Sequence, residues 1–437
     1  MTFEEAGKIL ADRQNFVKKN GLARVFACLS RLGDPHEKIK TIHVTGTNGK
    51  GSVCALFDSV LRSAGYKTGL FISPHLISLT ERICVSGSEI SQEEFAGAFE
   101  EVFKAGPNLS FFELLTCMAF LYFERAGTEI AVIEVGIGGR YDTTNVLARP
   151  ELSVITSVDY DHEKYLGGTI AEIAGQKAGI IKKGCVCLAA LLPEEARGPV
   201  MKEAQEKPAP VHFMASAFDI TGYDWKSGMM TLKNKKTGTV FKLGIIGATQ
   251  NSNATLVYEG VGILNSAGFK ISQEHIAEGF ARVNWPGRFQ IVSASRPGTH
   301  LAARCVPYIL DGAHNVEAVR SFTRTFEASP FKTADTAFVI GILNDKNYAA
   351  ILRLLAPYAA RAVFTMPQSE RAVSPYALAD EFSKIRPDAE IEAQEDIEAA
   401  LVSAGRSGVV AVLGSFYLVG SALEILKQRR IVGGVDV

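Results

Sequence analysis

The chain of 437 residues is too long to fold around one hydrophobic core, so two or three domains are expected. Its 46 lysines and arginines nearly balance its 47 aspartates and glutamates, which excludes a general electrostatic attraction to nucleic acid or to a membrane surface. The seven cysteines are scattered through apolar segments without a C-x-x-C pair, as is typical of core residues in a reducing compartment.

The N-terminal segment MTFEEAGKILADRQNFVKK is charged and amphipathic, which is not the pattern of a signal peptide. No apolar run in the sequence reaches the length of a membrane span. We therefore expect a soluble, cytoplasmic protein that acts on neither nucleic acid nor membranes.

The first half of the chain alternates short β-branched runs with helical patterns, which predicts a mostly parallel sheet with helices on both faces. The predicted strands are TIHVTG, KTGLFIS, IAVIEVG, LSVITSV and CVCLAA, and a capping box at residues 91–94 begins one of the helices. Short alternating strands over residues 211–243, with a turn at NKKTG, predict a small β insertion. Helices resume at Gln250.

A stretch rich in proline and glycine, NWPGRFQIVSASRPGTH, interrupts this pattern, and a second α/β series follows it. The strands YILDG, TAFVIG, RAVFTM and GVVAVLG predict a C-terminal Rossmann-like domain. We place the domain boundary in this stretch, which gives an N-terminal domain of residues 1–286 and a C-terminal domain of residues 287–437.

The segment HVTGTNGKGSV, residues 43–53, has the order strand, glycine turn, helix. It departs from the P-loop pattern G-x-x-x-x-G-K-[ST], because a valine stands at the first glycine and a glycine at the Ser/Thr position. The turn can still direct backbone N–H groups at a phosphate, with Lys50 as a positive charge and Ser52 or Thr47 within reach of magnesium. The segment therefore predicts a nucleotide site, with a plain glycine turn as the alternative.

Glu134 ends the predicted strand IAVIE, and His162 follows the next strand along the chain. In open α/β sheets the carboxyl ends of the strands border the ligand crevice, so both side chains can reach it and a carboxylate there can hold magnesium. Taken alone, Glu134 could equally be a solvated acid, His162 a satisfied polar residue and Lys177 an ordinary lysine late in a helix.

Eight segments, in this order along the chain, carry a resemblance. They are HVTGTNGKGSV, SPHLISLTERICVSG, EVGIGGRYDTTNV, DHEKYLGGTIAEIAGQKAGIIK, WPGRFQIV, LDGAHN, GILNDKN and GSFYLVG. The chain resembles the folylpolyglutamate synthases, including the bacterial enzymes that also act as dihydrofolate synthase, from about residue 20 to about residue 420. The late hydroxyl in GKGS is that family's variant of the loop, whereas the related Mur ligases place Ser/Thr directly after the lysine.

The resemblance implies a Mur-ligase-like fold and a set of site residues. ATP would contact Thr47, Asn48, Gly49, Lys50, Gly51 and Ser52, and also Asn253, Arg288 and Asp311. Two magnesium ions would lie on Ser73, Glu134, His162 and on Lys177, which carries a carbamate in this family. The catalytic set would be Lys50, Lys177 and His314. Substrate contacts would come from Ser110, Phe111, Phe112, Glu113, Tyr141 and Asp142.

The implied reaction is ATP-driven amide synthesis. A carboxylate of dihydropteroate or of a reduced folate attacks the γ-phosphoryl group to give an acyl phosphate, and the amine of L-glutamate then displaces phosphate. The resemblance implies a monomer that carries out both reactions. Asp142 has a physical rationale as a two-point acceptor for a pterin ring, and its alternative role is to cap the turn before Asn145.

Two other functions stay open at this stage. One is a Mur-type ligase that joins an amino acid to a nucleotide-linked sugar, although GKGS and DGAHN argue against it. The other is a nucleotide-gated binding protein without synthetic activity. Four positions depart from the family's commonest pattern, namely Tyr141, Thr143, Val316 and Asn347.

Overall fold

A computed structural model describes residues 1–13, 21–295, 305–333 and 335–428. Its described residues form two compact units. The first comprises residues 1–218, 234–237 and 252–283, and the second comprises residues 219–233, 238–251 and 284 onward. In the described part of the chain, no helix combines the length and the apolar character needed to cross a membrane. The boundary at residues 286/287 remains a prediction.

The first unit is built on an eight-stranded sheet. Its strands are β1 (Lys40–Thr45), β2 (Thr68–Phe71), β3 (Ile83–Val85), β4 (Ser88–Glu89), β5 (Ile130–Glu134), β6 (Leu152–Ile155), β7 (Cys187–Ala189) and β8 (Val211–Phe213). The strand order in the sheet is β4-β3-β2-β5-β1-β6-β7-β8. The six strands β2-β5-β1-β6-β7-β8 at one side of this order are all parallel to their neighbours. The five strands predicted in this half are confirmed, and the short hairpin β3–β4 adds an antiparallel edge.

The helices of this unit cover the sheet. They are α1 (Phe3–Ala11), α2 (Ala23–Arg31), α3 (Lys50–Ser63), α4 (Gln92–Ala105), α5 (Phe111–Arg125), α6 (Glu163–Leu166), α7 (Ile170–Ala178), α8 (Glu194–Glu206), α9 (Gln250–Ser266) from residue 252 onward, and α10 (Gln273–Arg282). The predicted capping box begins α4. Helix α3 is buried along most of its length, because α10 also covers it: a Cβ on Gly279 would lie 2.5 Å from Val60 Cα.

The predicted β insertion forms a separate three-stranded sheet of β9 (Phe218–Asp224), β10 (Met229–Asn234) and β11 (Val240–Leu243). Its turn is closed by Asn234 Oδ1, which accepts hydrogen bonds from the N–H groups of Lys236 and Thr237 at 2.9 and 3.0 Å. The prediction was wrong for residues 211–213, which form β8 of the large sheet. Three residues are too few to show an alternation, and only the pairing with β7 identifies them.

The second unit contains a six-stranded sheet of order β12-β13-β17-β14-β15-β16. Its strands are β12 (Gln290–Ser295), β13 (Cys305–Asp311), β14 (Thr336–Ile340), β15 (Arg361–Thr365), β16 (Glu390–Gln394) and β17 (Val409–Leu413), with β12 antiparallel to β13. The helices are α11 (Val316–Glu327), α12 (Tyr348–Leu355), α13 (Pro375–Ile385), α14 (Ile397–Ala404) and α15 (Phe416–Lys427). The four predicted strands are confirmed, while β12 and β16 were not predicted. Residues 296–300 of the proline- and glycine-rich stretch lie outside the described residues.

Candidate active site

Four neighbouring parallel strands of the first unit end at the same edge of the sheet. In the pairing register Val44 lies opposite Glu134, Thr45 opposite Ile155, and Phe71 opposite Ile133. The segments that follow β2, β5, β1 and β6 therefore meet there, as expected for a ligand crevice of an α/β sheet. These segments carry Ser73, Glu134, the phosphate loop and His162.

The phosphate loop turns into helix α3 at Gly49, which has a left-handed φ of 85°. A Cβ at this position would lie 2.7 Å from Asn253 Oδ1, so the side chain of Asn253 lies directly against the loop. Lys50 folds back over the turn and donates hydrogen bonds to the carbonyl oxygens of Gly46 and Thr47 at 3.0 and 3.2 Å. The loop thus presents a helix N-terminus and an ammonium group together, which is suited to binding a phosphate.

The two hydroxyl groups considered for magnesium have different surroundings. Thr47 Oγ1 is engaged with the loop after β6, because it donates to the Asp159 carbonyl and accepts from the Asp159 N–H, both at 3.0 Å. Ser52 Oγ is buried at the start of α3 and has no hydrogen-bond partner among the described residues. A buried hydroxyl is costly without a partner, so the site fits a bound ion or phosphate at Ser52.

Lys177 is buried in α7, with 2 % of its surface exposed. Burial lowers its pKa well below the ordinary value, and the neighbouring charge of Lys50 lowers it further, whereas Asp161 acts in the opposite direction. Lys50, Lys177 and Asp161 are therefore electrostatic neighbours at the sheet edge. Sequence reasoning missed Asp161, although the acidic run DYDH directly after a strand could have indicated it.

The end of α7 that carries Lys177 is held by a cluster of ions around the buried carboxylate of Glu203. The guanidinium of Arg140 pairs with Glu203 on α8 and donates to the Gly175 carbonyl at 3.2 Å. Lys207 pairs with Glu203 at 2.8 Å and donates to the Gly179 carbonyl. The hydrogen bonds from Arg140 and Lys207 lower the pKa of Glu203 although burial opposes them, so its carboxylate stays ionised.

Glu134 is buried, and its Oε2 accepts a hydrogen bond from the Ser73 N–H at 3.0 Å. His162 is half-buried in a left-handed conformation with φ of 51° at the start of α6, where its N–H donates to Asp161 Oδ1 at 2.9 Å. Among the described residues, no three His, Cys, Asp or Glu side chains form a group that could hold a metal ion. The assignment of Ser73, Glu134, His162 and Lys177 to metal binding stays a prediction.

The segment SFFE forms the start of helix α5. Glu113 Oε2 accepts from the Ser110 N–H at 2.7 Å, and the Glu113 carboxylate is also paired with Arg24 through two contacts of 2.9 Å. Ser110 and Glu113 therefore cap the helix. The two aromatic residues between them pack inward, with Arg82 over the ring of Phe111 at 5.2 Å and Phe112 on Phe71 at 5.6 Å.

Asp142 and Phe112 meet at Gly136. A Cβ at Gly136 would lie 2.6 Å from the Phe112 ring and 3.1 Å from Asp142 Oδ2. Asp142 Oδ1 accepts from the N–H and the hydroxyl of Thr144 at 3.0 and 2.6 Å, so it does cap the following turn. Burial raises the pKa of Asp142, while these hydrogen bonds act against the rise. Oδ2 accepts from the Ile137 N–H at 3.0 Å and is the oxygen left to meet a ligand. Asp142 would therefore offer a pterin ring one carboxylate oxygen, and not the two that a two-point acceptor requires. The remaining predicted contact, Tyr141, is 70 % exposed.

In the second unit, Arg288 and His314 pack against Phe416, and the third predicted site residue, Asp311, is an electrostatic neighbour of Arg288. The Arg288 guanidinium lies 4.5 Å from the centre of the Phe416 ring, and the His314 ring lies 5.3 Å from it. Asp311 ends β13 and accepts hydrogen bonds from the N–H groups of Phe289 and Ala313, both at 2.8 Å. Burial raises the pKa of Asp311, whereas the positive charge of Arg288 counteracts it. His314 Nδ1 donates to the Gly312 carbonyl at 2.7 Å.

Two domain families match the chain: the Mur ligase middle domain over residues 44–259 and the Mur ligase, glutamate ligase domain over residues 287–416. The two domains are thus those of the Mur-type ATP-dependent ligases. Within that class, the chain is 33 % identical to the dihydrofolate synthase/folylpolyglutamate synthase of Bacillus subtilis, over 97 % of this chain and 99 % of that protein. It is 31 % identical to the Escherichia coli protein of the same name, over 94 % and 93 % of the two chains. The chain belongs to the dihydrofolate synthase/folylpolyglutamate synthase family.

Solved structures agree with this assignment. Mycobacterium tuberculosis folylpolyglutamate synthase complexed with ADP and AMPPCP has a TM-score of 0.83 at 28 % identity, covering 97 % of this chain and 98 % of that one. Escherichia coli FolC in complex with DHPP and ADP has a TM-score of 0.83 at 28 % identity, covering 99 % of both chains. The Yersinia pestis enzyme complexed with AMPPNP and Mn ion has a TM-score of 0.80 at 26 % identity, covering 98 % of both chains. The chain is therefore an ATP-dependent ligase, and the alternatives of a cell-wall ligase and a nucleotide switch fall away.

Proposed function

We propose that this chain joins L-glutamate both to dihydropteroate and to reduced folates. The observation that carries this proposal is the edge of the eight-stranded sheet, where the phosphate loop, Glu134 and the buried Lys177 converge next to the Phe112–Asp142 contact. A site for phosphoryl transfer and a site for an aromatic acid are thus adjacent within one unit. Relatives named for both activities are similar over nearly the whole chain.

In the first half-reaction, a carboxylate oxygen of the acid attacks the γ-phosphorus of ATP, the bond to the β,γ-bridging oxygen breaks, and ADP leaves. Two anions must approach each other, so positive charge is needed at the transferring group. Lys50 and the N-terminus of α3 supply it from the chain. Ser73 and Glu134 are the proposed ligands of a divalent ion, which the Ser52 hydroxyl could also reach. When bound, that ion would neutralise charge on the phosphate oxygens.

Lys177 is proposed to carry a carbamate. Burial lowers the pKa of this amine well below its ordinary value, which increases its neutral fraction, and only the neutral amine attacks carbon dioxide, forming an N–C bond with loss of one proton. The product is an anion next to the Lys50 ammonium, which attracts the carbamate although it would repel a protonated Lys177. The new carboxylate would serve, together with His162, as a ligand for a second divalent ion.

In the second half-reaction, the amine of glutamate attacks the acyl carbon, phosphate leaves, and the nitrogen loses a proton. We propose that Arg288 and Asp311 contact ATP and that His314 acts near the reacting groups. The packing of Arg288 and His314 against Phe416 supports the assignment, because it holds a guanidinium and an imidazole near the carboxylate that ends β13. The enzyme is proposed to act as a monomer, for which sedimentation at working concentration is the test.

A substrate panel tests the proposed function. The purified enzyme would be supplied with ATP, magnesium and L-glutamate, and with dihydropteroate or with reduced folates as the acid, and the amide products would be counted. We expect both acids to be extended, and phosphate release to require acid and glutamate together. Failure to use dihydropteroate would refute the bifunctional assignment, and failure with both acids would refute the proposed function.

A further inference from the structure

A buried chain of hydrogen bonds connects strand β1 to Asp142. His43 is completely buried, and its Nε2 lies 2.8 Å from Thr144 Oγ1. Thr144 Oγ1 in turn lies 2.6 Å from Asp142 Oδ1, which also accepts from the Thr144 N–H at 3.0 Å. Asp142, the proposed substrate contact, is therefore linked through the side chain of Thr144 to His43, which lies on the strand that leads into the phosphate loop.

Only one arrangement of protons satisfies the hydrogen bonds that link His43, Thr144 and Asp142. A carboxylate only accepts hydrogen bonds, so the single hydroxyl proton of Thr144 points to Asp142 and the Thr144 oxygen accepts from His43. His43 is then the Nε2–H tautomer with a bare Nδ1. Consistently, burial lowers the pKa of His43 to about 3, with Lys182 lowering it further, so the ring is neutral. Nδ1 has no hydrogen-bond partner among the described residues.

We propose that His43 and Thr144 are positioning residues for dihydropteroate, which orient Asp142 so that its Oδ2 faces the pterin ring beside Phe112. The inference rests on the proposed function, in which Asp142 contacts the substrate. Because Oδ1 is fixed by Thr144, the carboxylate cannot rotate, and the other oxygen stays against Gly136 where the Phe112 ring also lies. An oriented acceptor next to an aromatic face is the combination that recognises a flat ring with N–H donors.

A purely structural role would not require the hydrogen bonds from His43 through Thr144 to Asp142. An apolar side chain at position 43 would pack within the sheet without leaving a buried nitrogen unpaired. The next side chain on the same face of β1, Thr45, donates to the Gly138 carbonyl, so the loop between β5 and β6 is attached to β1 at two points. The hydrogen bond from Thr45 stabilises the position of the loop on β1. Only the hydrogen bond from His43 leads, through Thr144, to Asp142.

The test is a set of matched substitutions assayed with dihydropteroate, L-glutamate and ATP. His43→Leu removes the donor, whereas His43→Gln keeps an N–H near the position of Nε2. Thr144→Val removes the hydroxyl at nearly constant shape, whereas Thr144→Ser keeps it. Thr143→Ala is the control, because it removes the adjacent hydroxyl, which contacts Thr116 rather than Asp142.

We expect His43→Leu and Thr144→Val each to raise the KM for dihydropteroate by about tenfold, the loss of one hydrogen bond to a charged group, with the KM for ATP changed by less than about twofold. The Gln and Ser variants should restore the KM, and the double variant should be no worse than either single one. A KM for dihydropteroate unchanged in His43→Leu and Thr144→Val, while Asp142→Ala raises it, would overturn the positioning role and leave the proposed function intact.

Two further outcomes also decide the question. If Asp142→Ala leaves the KM for dihydropteroate unchanged in an enzyme that uses this acid, the substrate role of Asp142 is wrong and the positioning role falls with it. If the Gln, Ser and Thr143→Ala variants lose turnover and melting temperature together with the Leu and Val variants, the chain serves only folding and the inference is refuted.

Discussion

Replacing Ser52 with alanine should make the free enzyme more stable and the reaction slower. Ser52 Oγ is buried without a partner among the described residues, so it carries a desolvation cost of about 1–3 kcal/mol in the free enzyme. Removing the hydroxyl relieves this cost and slightly favours the helix. We expect the free energy of unfolding to rise by about 1–2 kcal/mol, which corresponds to a few degrees in melting temperature for a domain of this size.

The same hydroxyl is the proposed ligand of the divalent ion that accompanies ATP. Its loss should reduce kcat/KM for ATP by about tenfold to a hundredfold. Nucleotide with magnesium should also stabilise the variant less than the wild type, by about 1.4 kcal/mol for each tenfold loss of affinity. Thermal unfolding with and without magnesium and ATP, together with steady-state kinetics, measures both effects on one protein sample.

Ser59→Ala is the matched control in the same helix. Ser59 is equally buried, but its Oγ donates to the Gly279 carbonyl at 2.7 Å, so its removal should lower the free energy of unfolding by about 1 kcal/mol and leave kinetics unchanged. The reasoning for Ser52 is refuted if Ser52→Ala destabilises the free enzyme as Ser59→Ala does, or if it retains wild-type kcat/KM for ATP.

Lys50→Ala should lower turnover by about a hundredfold or more with the fold intact, because the charge is needed most while the γ-phosphoryl group is transferred, and near-normal turnover would contradict the assigned loop. Native mass spectra of the active enzyme should show one added CO2 that Lys177→Met lacks. In buffer free of CO2, the free energy of unfolding of the unmodified enzyme should rise with pH, by at most about 1.4 kcal/mol per pH unit, between the lowered pKa of Lys177 and its ordinary value of 10.5. The folded state binds fewer protons than the unfolded state in that window, and a slope that persists in Lys177→Met would exclude this residue as its source. Val316→Pro, at the first position of α11, should raise the free energy of unfolding by about 0.4–1 kcal/mol, and a destabilised variant in denaturant titration would contradict this.

Much of the first unit could be predicted from the sequence because its signals are local. Buried parallel strands are short apolar runs, and a glycine turn between strand and helix marks the phosphate loop wherever it occurs. Strands β8 and β16 could not be predicted, since one is three residues long and the other, EIEAQ, is charged and half-buried. Their pairing partners define them, and pairing is a long-range property.

The site was predictable in residue type but less so in role. The S-x-x-E pattern identified the capping box of α4, and the same pattern in SFFE forms the cap of α5, while the substrate contacts of Ser110 and Glu113 stay a prediction. Burial of Lys177 could not be inferred, because the helix IAEIAGQKA would look the same with its lysine in solvent. Two departures have a simple explanation: Asn347 caps α12 as an aspartate would, and Val316 occupies a helix position where proline is favoured but not required.

The double attachment of the loop after β5 to strand β1 has a consequence for engineering. A change at His43, Thr45 or Thr144 removes a hydrogen bond that attaches this loop to β1, so selection for a new acid at these positions would also act on the stability of the sheet. Tyr141 lies on the same loop but is 70 % exposed, and its side chain takes no part in that attachment. Libraries that seek altered acid preference at little cost to stability should therefore begin at position 141.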